Sequence, residues 1–196
     1  MKNIIAILVP SLESRVDNWH NLLEALSAQI KANDLTDEIK IISNVDNGSK
    51  SIGQKRNELI DDAVAGGFEY VAFFDDDDSP GDEYISEIWN GAKFGYDVVS
   101  LRGQITTDGG EPFLFEHSIK YQAYRTVMND HAPIRYERYP NHLNCMILSV
   151  AKLFKFPETN HGEDTNFATQ VFKSGLLRRE CFSRKIIYFY KYKSNK

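Results

Sequence analysis

"EYVAFFDDDDSP", residues 69–80, sets four consecutive carboxylates directly after a hydrophobic run. The aromatic and β-branched residues 69–74 read as a buried strand, with the acids at its carboxyl end. On an extended chain, side chains two apart share a face about 6–7 Å from each other, so Asp75 and Asp77 are expected to point one way and Asp76 and Asp78 the other. Like charges that close repel by about 2.5 kcal/mol at the effective dielectric of a protein surface. A cation is the expected relief.

Working outward, the chain alternates strand and helix. Residues 3–9 form an apolar strand, after which Val16, Trp19, Leu23, Leu26 and Ile30 recur at helical spacing, with Ser14 and Asp17 suited to the start. Residues 38–43 predict a second strand. A helix over 54–65 would place Leu59, Ile60, Ala63 and Val64 on one face and stop at Gly66-Gly67. Beyond the aspartates, Ser79 and Pro80 suit an N-cap and first helical position, with Tyr84, Ile85, Ile88 and Trp89 facing inward. Residues 97–101 read as a further strand. This alternation predicts an α/β, Rossmann-like and mostly parallel sheet flanked by helices, whose ligands bind at the carboxyl ends of the strands.

After residue 102 the pattern loosens. Asp108-Gly109-Gly110 marks a hairpin turn, and the stretch to 141 is rich in tyrosine and arginine, suited either to packing or to gripping a substrate. A strand near 143–149, a short helix from about 150 and a helix over 164–174 ended by Gly175 complete the reading. No repeat or linker divides the chain, so 1–196 is expected to be a single domain.

Composition bounds the function. The 196 residues are 42% hydrophobic and 26% charged, enough for one substantial core, and the net charge of −5 argues against coating nucleic acid or anionic membrane. Charge is nevertheless uneven: six acids fall within 75–83 and seven Lys/Arg within 178–196. The basic aromatic tail could fold over phosphates, meet an acidic acceptor, lie on a membrane surface or simply pack. Cys145 and Cys181 lack metal-site spacing and read as free structural thiols. The amino-terminal apolar run is too short for a signal-peptide core or a membrane span, so a cytoplasmic location is expected.

"ILVPSLESR" at 7–15, "SNVDNGS" at 43–49, "GQKRN" at 53–57, "FFDDDDSPGDEYI" at 73–85 and "HGEDTNFA" at 161–168 together resemble a family 2 glycosyltransferase of the GT-A fold, across roughly residues 3–175. This chain departs from the family in its shortness, in having four aspartates for an interrupted pair, and in lacking a late histidine as an extra metal ligand. The resemblance implies that 1–102 is the nucleotide-sugar-binding half and that 103–196 binds the acceptor and carries the base. It implies a metal-dependent, inverting transfer of a hexosyl or pentosyl group from a nucleotide-diphosphate donor, UDP-sugar ahead of GDP-sugar, to an acceptor hydroxyl. Mn²⁺ or Mg²⁺ would sit on Asp77 and Asp75, with Asp75 also serving the ribose or a metal-bound water. Asp76 could contact nucleotide or metal instead, since sequence does not fix which face looks outward, and Asp78 would orient the following loop.

By the same resemblance Asp46 recognises the nucleobase, with Pro10 lining that pocket, although "VDNGS" is also ordinary turn chemistry. Lys55 and Arg56 open a helix where amide N–H groups and positive charge suit a nucleotide, or are surface charges. Glu163 and Asp164 are the expected catalytic pair, with Asp164 as general base; Asp is equally a favoured helix cap. His161 could tune the site or touch the acceptor, and the remaining histidines receive no role.

Other functions must explain the same acids. A calcium loop from Asp76 through Asp78, Gly81 and Glu87 is spoiled by Pro80 at a ligand position. An aspartate-nucleophile phosphotransferase would carry its motif on the first strand. A non-catalytic nucleotide-sugar or metal-binding module would show the same residues and is separated only by turnover.

Overall fold

The computed structural model describes residues 4–130 and 132–194. The apolar run after Asn3 forms β1 (Ile5–Leu12). Ile5, Ile7 and Val9 enter one core cluster while Ala6 and Leu8 enter another, so this strand is buried on both faces. It lies between β2 (Ile39–Asp46) and β3 (Tyr70–Phe73), parallel to both. Helices α1 (Val16–Ala32) and α3 (Tyr84–Lys93) cover the first face, through Leu22, Leu26, Ile30, Ile85 and Ile88. Helices α2 (Ile52–Ala65), α4 (Leu148–Ala151) and α5 (Glu163–Ser174) cover the second, through Leu59, Ile60, Phe167 and Val171.

The sheet is completed by β5 (Val98–Val99), β10 (Met146–Ile147) and β11 (Glu180–Cys181) in the order β11-β5-β10-β3-β1-β2. Because β10 runs antiparallel to both of its neighbours, the sheet is mixed rather than purely parallel.

The half that reads as irregular builds a second mixed sheet, β4-β12-β6-β7-β9-β8. Its strands are β4 (Ser79–Pro80), β6 (Leu101–Thr107), β7 (Phe113–His117), β8 (Arg125–Asn129), β9 (Ala132–Arg138) and β12 (Tyr188–Tyr192). The strand expected over 97–101 is broken at buried Ser100, where the chain passes from one sheet to the other and the Ser100 hydroxyl accepts the Ser183 amide at 2.7 Å. The hairpin at Asp108-Gly109 is present, with both residues at positive φ. The tail packs rather than lying free, since Ile187 and Tyr188 are fully buried.

Several local expectations are corrected. Ser79 and Pro80 are not a helix start; they pair with β12, and α3 begins only at Tyr84. In α1 it is Leu22, rather than Leu23, that is buried, and in α2 Val64 faces outward. Helix α5 begins at Glu163 after a left-handed Gly162, so Asp164 is in its first turn and is not the cap residue. Both cysteines are free thiols, Cys145 buried and Cys181 partly so. Among the described residues, no helix is long and apolar enough to cross a membrane.

Candidate active site

The four aspartates leave the end of β3 as a turn, closed by Asp78 N donating to Asp75 O at 3.1 Å. Burial alternates along them: Asp76 and Asp78 are buried, whereas the side chains of Asp75 and Asp77 stay 24% and 20% exposed. Direction does not alternate as expected. Asp75 continues the face of Phe73 and meets Arg56 of α2, while Asp76 continues the face of Phe74 and accepts from Ser11 Oγ at 2.6 Å and from Arg15. Asp77 turns back to the same Arg15, whose Nη2 is 3.3 Å from its Oδ2. The turn at Asp75–Asp78 ends the two-residue period before it reaches Asp77.

Three kinds of partner relieve the crowding of charge. Guanidinium groups serve Asp75, Asp76 and Asp77. Burial opposes the ionisation of Asp75, yet Arg56 and the nearby His142 hold its carboxyl well below the ordinary carboxylate range. Asp78 goes the other way: burial, with the charge of Asp75 added, pushes its carboxyl up to about 8. It accepts from Tyr188 Oη at 2.7 Å and Lys191 N at 2.8 Å, which ties the acidic turn to β12.

Arg56 is the hub of the site. Buried under the rings of Phe73 and Phe156, it donates from Nη2 to Asp75 Oδ1 at 2.9 Å and from Nη1 to Glu163 at the start of α5. The approach of α2 to the α5 side depends on Gly53, where a Cβ would stand 1.8 Å from Pro157 O. Lys55 is also buried and bonds Ser11 O and Asp46 Oδ1, each at 2.7 Å. Neither basic residue is therefore a surface charge.

Two recesses meet at Arg56, Asp75 and Glu163. One is walled by Pro10, Arg15, Lys50, Lys55, Asp76 and Asp77. Asp46 stands behind this wall: Oδ1 takes Lys55, and Oδ2 takes Lys50 N at 2.8 Å and Ser49 Oγ at 3.1 Å. The Lys55 bond outweighs desolvation and holds this carboxyl well below its usual range. The other recess contains Tyr136, Arg138, His142, His161, Asp164 and Tyr190. Asp164 Oδ1 accepts Thr165 N at 2.6 Å, and among the described residues nothing bonds its Oδ2. Glu163 is buried on Arg56, so the two expected catalytic acids occupy different surroundings.

Arg15, His142 and Tyr188 are site residues to which the sequence reading gives no part. His142 is 4% exposed, with Nε2 3.7 Å from Asp75 Oδ2 and neither ring nitrogen hydrogen-bonded. Its spacing from other histidines holds no signal; its place just ahead of an apolar strand is the only hint. His117, likewise passed over, lines the second recess, and burial pushes its ring down to about 3, the charge of Arg138 adding to the effect.

Among the described residues no three His, Cys, Asp or Glu are grouped to hold a metal ion. Asp75 and Asp77 do line one recess with partly exposed, hard oxygen donors. That donor set fits the usual form of a magnesium or manganese site in phosphate chemistry, in which one or two carboxylates are joined by substrate phosphates rather than by a full protein cage.

No protein-family signature matches the sequence, and no curated protein does. Solved structures do. The chain is similar to S. aureus TarS 1-349 in complex with UDP-GlcNAc at a TM-score of 0.62 and 17% identity, over 100% of this chain and 60% of that one. It is similar to the same protein in complex with UDP at 0.61 and 18% identity, over 97% and 60%. The chain thus spans about 60% of the length of these neighbours. The likeness establishes the fold: a GT-A glycosyltransferase-like α/β domain.

Proposed function

We propose that this chain is an inverting, metal-dependent glycosyltransferase that moves a hexosyl or pentosyl group from a nucleotide-diphosphate sugar to an acceptor hydroxyl. The observation that carries the reading is the meeting of two recesses at Arg56, Asp75 and Glu163, one setting Arg15, Lys50 and Lys55 beside Asp76 and Asp77 and the other holding an uncommitted carboxylate oxygen. The fold likeness to a protein solved with UDP-GlcNAc and with UDP supports a UDP-sugar over a GDP-sugar.

In this reading residues 1–102 supply most of the donor site. Pro10 and the backbone beside it bound the nucleobase, and Lys55 and Arg15 face the diphosphate. Asp46 Oδ2 already accepts two bonds, so a nucleobase N–H would be taken by Oδ1 beside its bond from Lys55. Asp77 with Asp75 would hold Mn²⁺ or Mg²⁺, which when bound neutralises charge on the leaving diphosphate. Asp76 keeps Arg15 aimed at the same recess.

Residues 103–196 supply the acceptor side. Asp164 takes the proton of the acceptor hydroxyl as its oxygen bonds to the anomeric carbon, and the bond from that carbon to the diphosphate oxygen breaks on the opposite side. Glu163 acts through Arg56, fixing the guanidinium that in turn orients Asp75. His142, its ring nitrogens buried and unbonded, stands beside Asp75 and helps keep that carboxylate ionised.

The test is release of nucleoside diphosphate from UDP-GlcNAc, UDP-glucose and GDP-mannose with Mn²⁺, in the presence of an acceptor mixture, with mass analysis of the products. Sugar transfer from a UDP-sugar supports the reading. Binding of UDP with no transfer or hydrolysis under any condition would leave a nucleotide-binding module instead.

A further inference from the structure

Three arginines lie within fourteen residues on β8 and β9, and they are not equivalent. Arg125 and Arg135 both bond buried Glu137. Arg138, one residue further, has no carboxylate partner and no side-chain hydrogen bond among the described residues, although it is half-buried and lines the recess that contains Asp164. Aromatic rings hold it instead, its guanidinium carbon being 4.9 Å from the ring centroid of Tyr124 and 5.8 Å from that of Tyr136.

That clamp is itself braced. Tyr124 contacts Tyr139 at 4.5 Å between centroids, Tyr139 stacks on Phe172 of α5 at 4.3 Å, and Tyr139 Oη bonds Thr169 Oγ1 at 3.0 Å. Ring contacts use the faces of a guanidinium and leave its five in-plane N–H donors unspent. Donors fixed in a fork match the paired oxygens of a carboxylate or phosphate. The same charge also adds to the burial that keeps His117 neutral in that recess.

We infer that the acceptor is anionic: it bears a phosphate monoester or a carboxylate that Arg138 grips, while its reacting hydroxyl reaches Asp164. The inference rests on the reading of this recess as the acceptor site. The chain of ring contacts from Tyr124 through Tyr139 to Phe172 sets the guanidinium in advance, so little side-chain freedom is lost on binding.

The test is calorimetric titration of the full chain with glucose 6-phosphate, glucuronate and glucose, each with and without saturating UDP to fill the donor recess. The two charged sugars are expected to bind at least about tenfold tighter than glucose with UDP present, a difference of about 1.4 kcal/mol. Whichever of the two binds more tightly names the oxyacid. Arg138→Gln should erase the difference and Arg138→Lys should restore part of it, with the UDP affinity of both variants unchanged. Equal binding of the three sugars, binding of none, or a preference that survives Arg138→Gln would overturn the inference. If UDP itself fails to bind the wild-type chain, the donor reading falls, and the titrations without UDP still decide the role of Arg138.

Discussion

Arg56 Nη2 lies 2.9 Å from Asp75 Oδ1, joining the second helix to the acidic turn after the third strand through a guanidinium that is buried and also holds the buried Glu163. Removing one partner of such a pair leaves the other charge buried and alone. Arg56→Met should therefore destabilise the protein by about 3–5 kcal/mol, read as a fall in the denaturation midpoint at unchanged slope. A shift under about 1 kcal/mol would mean that water relaxes into the site and that the contact is not structural.

Asp164 and Asp77 separate chemistry from donor binding. Asp164→Asn should keep the affinity for UDP and lose about 10²–10⁴-fold in turnover, the range for removal of a general base. Transfer at the wild-type rate in this variant would remove Asp164 from that role.

Stripping divalent ions with a chelator should weaken UDP binding, and added Mn²⁺ should restore it in the wild-type chain but not in Asp77→Ala. Equal UDP affinity with and without chelator would remove the ion from donor binding.

Gly53→Ala should cost both stability and turnover, because the added methyl would overlap Pro157 O and push the segment before α5 away from α2. A loss of about 1–3 kcal/mol is expected from overpacking. Unchanged thermal unfolding would show that the 157–159 segment yields freely.

His117 should make the protein acid-sensitive. Its folded-state value of about 3 lies below the ordinary histidine value of 6.5, so the unfolded chain binds more protons between those limits and stability falls as pH drops through that window. From pH 7 to pH 4.5 this single group should cost about 2–3 kcal/mol. His117→Asn should lose correspondingly less over the same interval, as measured by urea unfolding at both pH values; parallel losses in the two proteins would acquit His117.

The core of the first sheet was legible because its elements are long enough to show a period. β1 and β3 are continuous apolar runs, and Leu26, Ile30, Leu59 and Ile60 repeat at helical spacing. Strands of two residues, such as Ser79–Pro80 and Met146–Ile147, have no period to read, and β8 is too exposed to alternate. The aspartates announced a site because they are neighbours in sequence. Their partners did not: Arg15 lies 61 residues from Asp76 and Tyr188 lies 110 from Asp78, joined only by the fold. His142 escaped for the same reason, since what marks it is a missing hydrogen bond rather than a motif.

The position of β12 bears on how the protein is made. It enters between β4 and β6 and fastens Asp78 through Tyr188, so a ribosome must pass residue 188 before the acidic turn gains its last anchor. Strands β1, β2 and β3 with the helices between them can collapse much earlier on the emerging chain, whereas β4 waits for β12 and β5 for β10 and β11. Competence for chemistry then arrives late in biosynthesis, as a strand slides home between two neighbours already waiting for it.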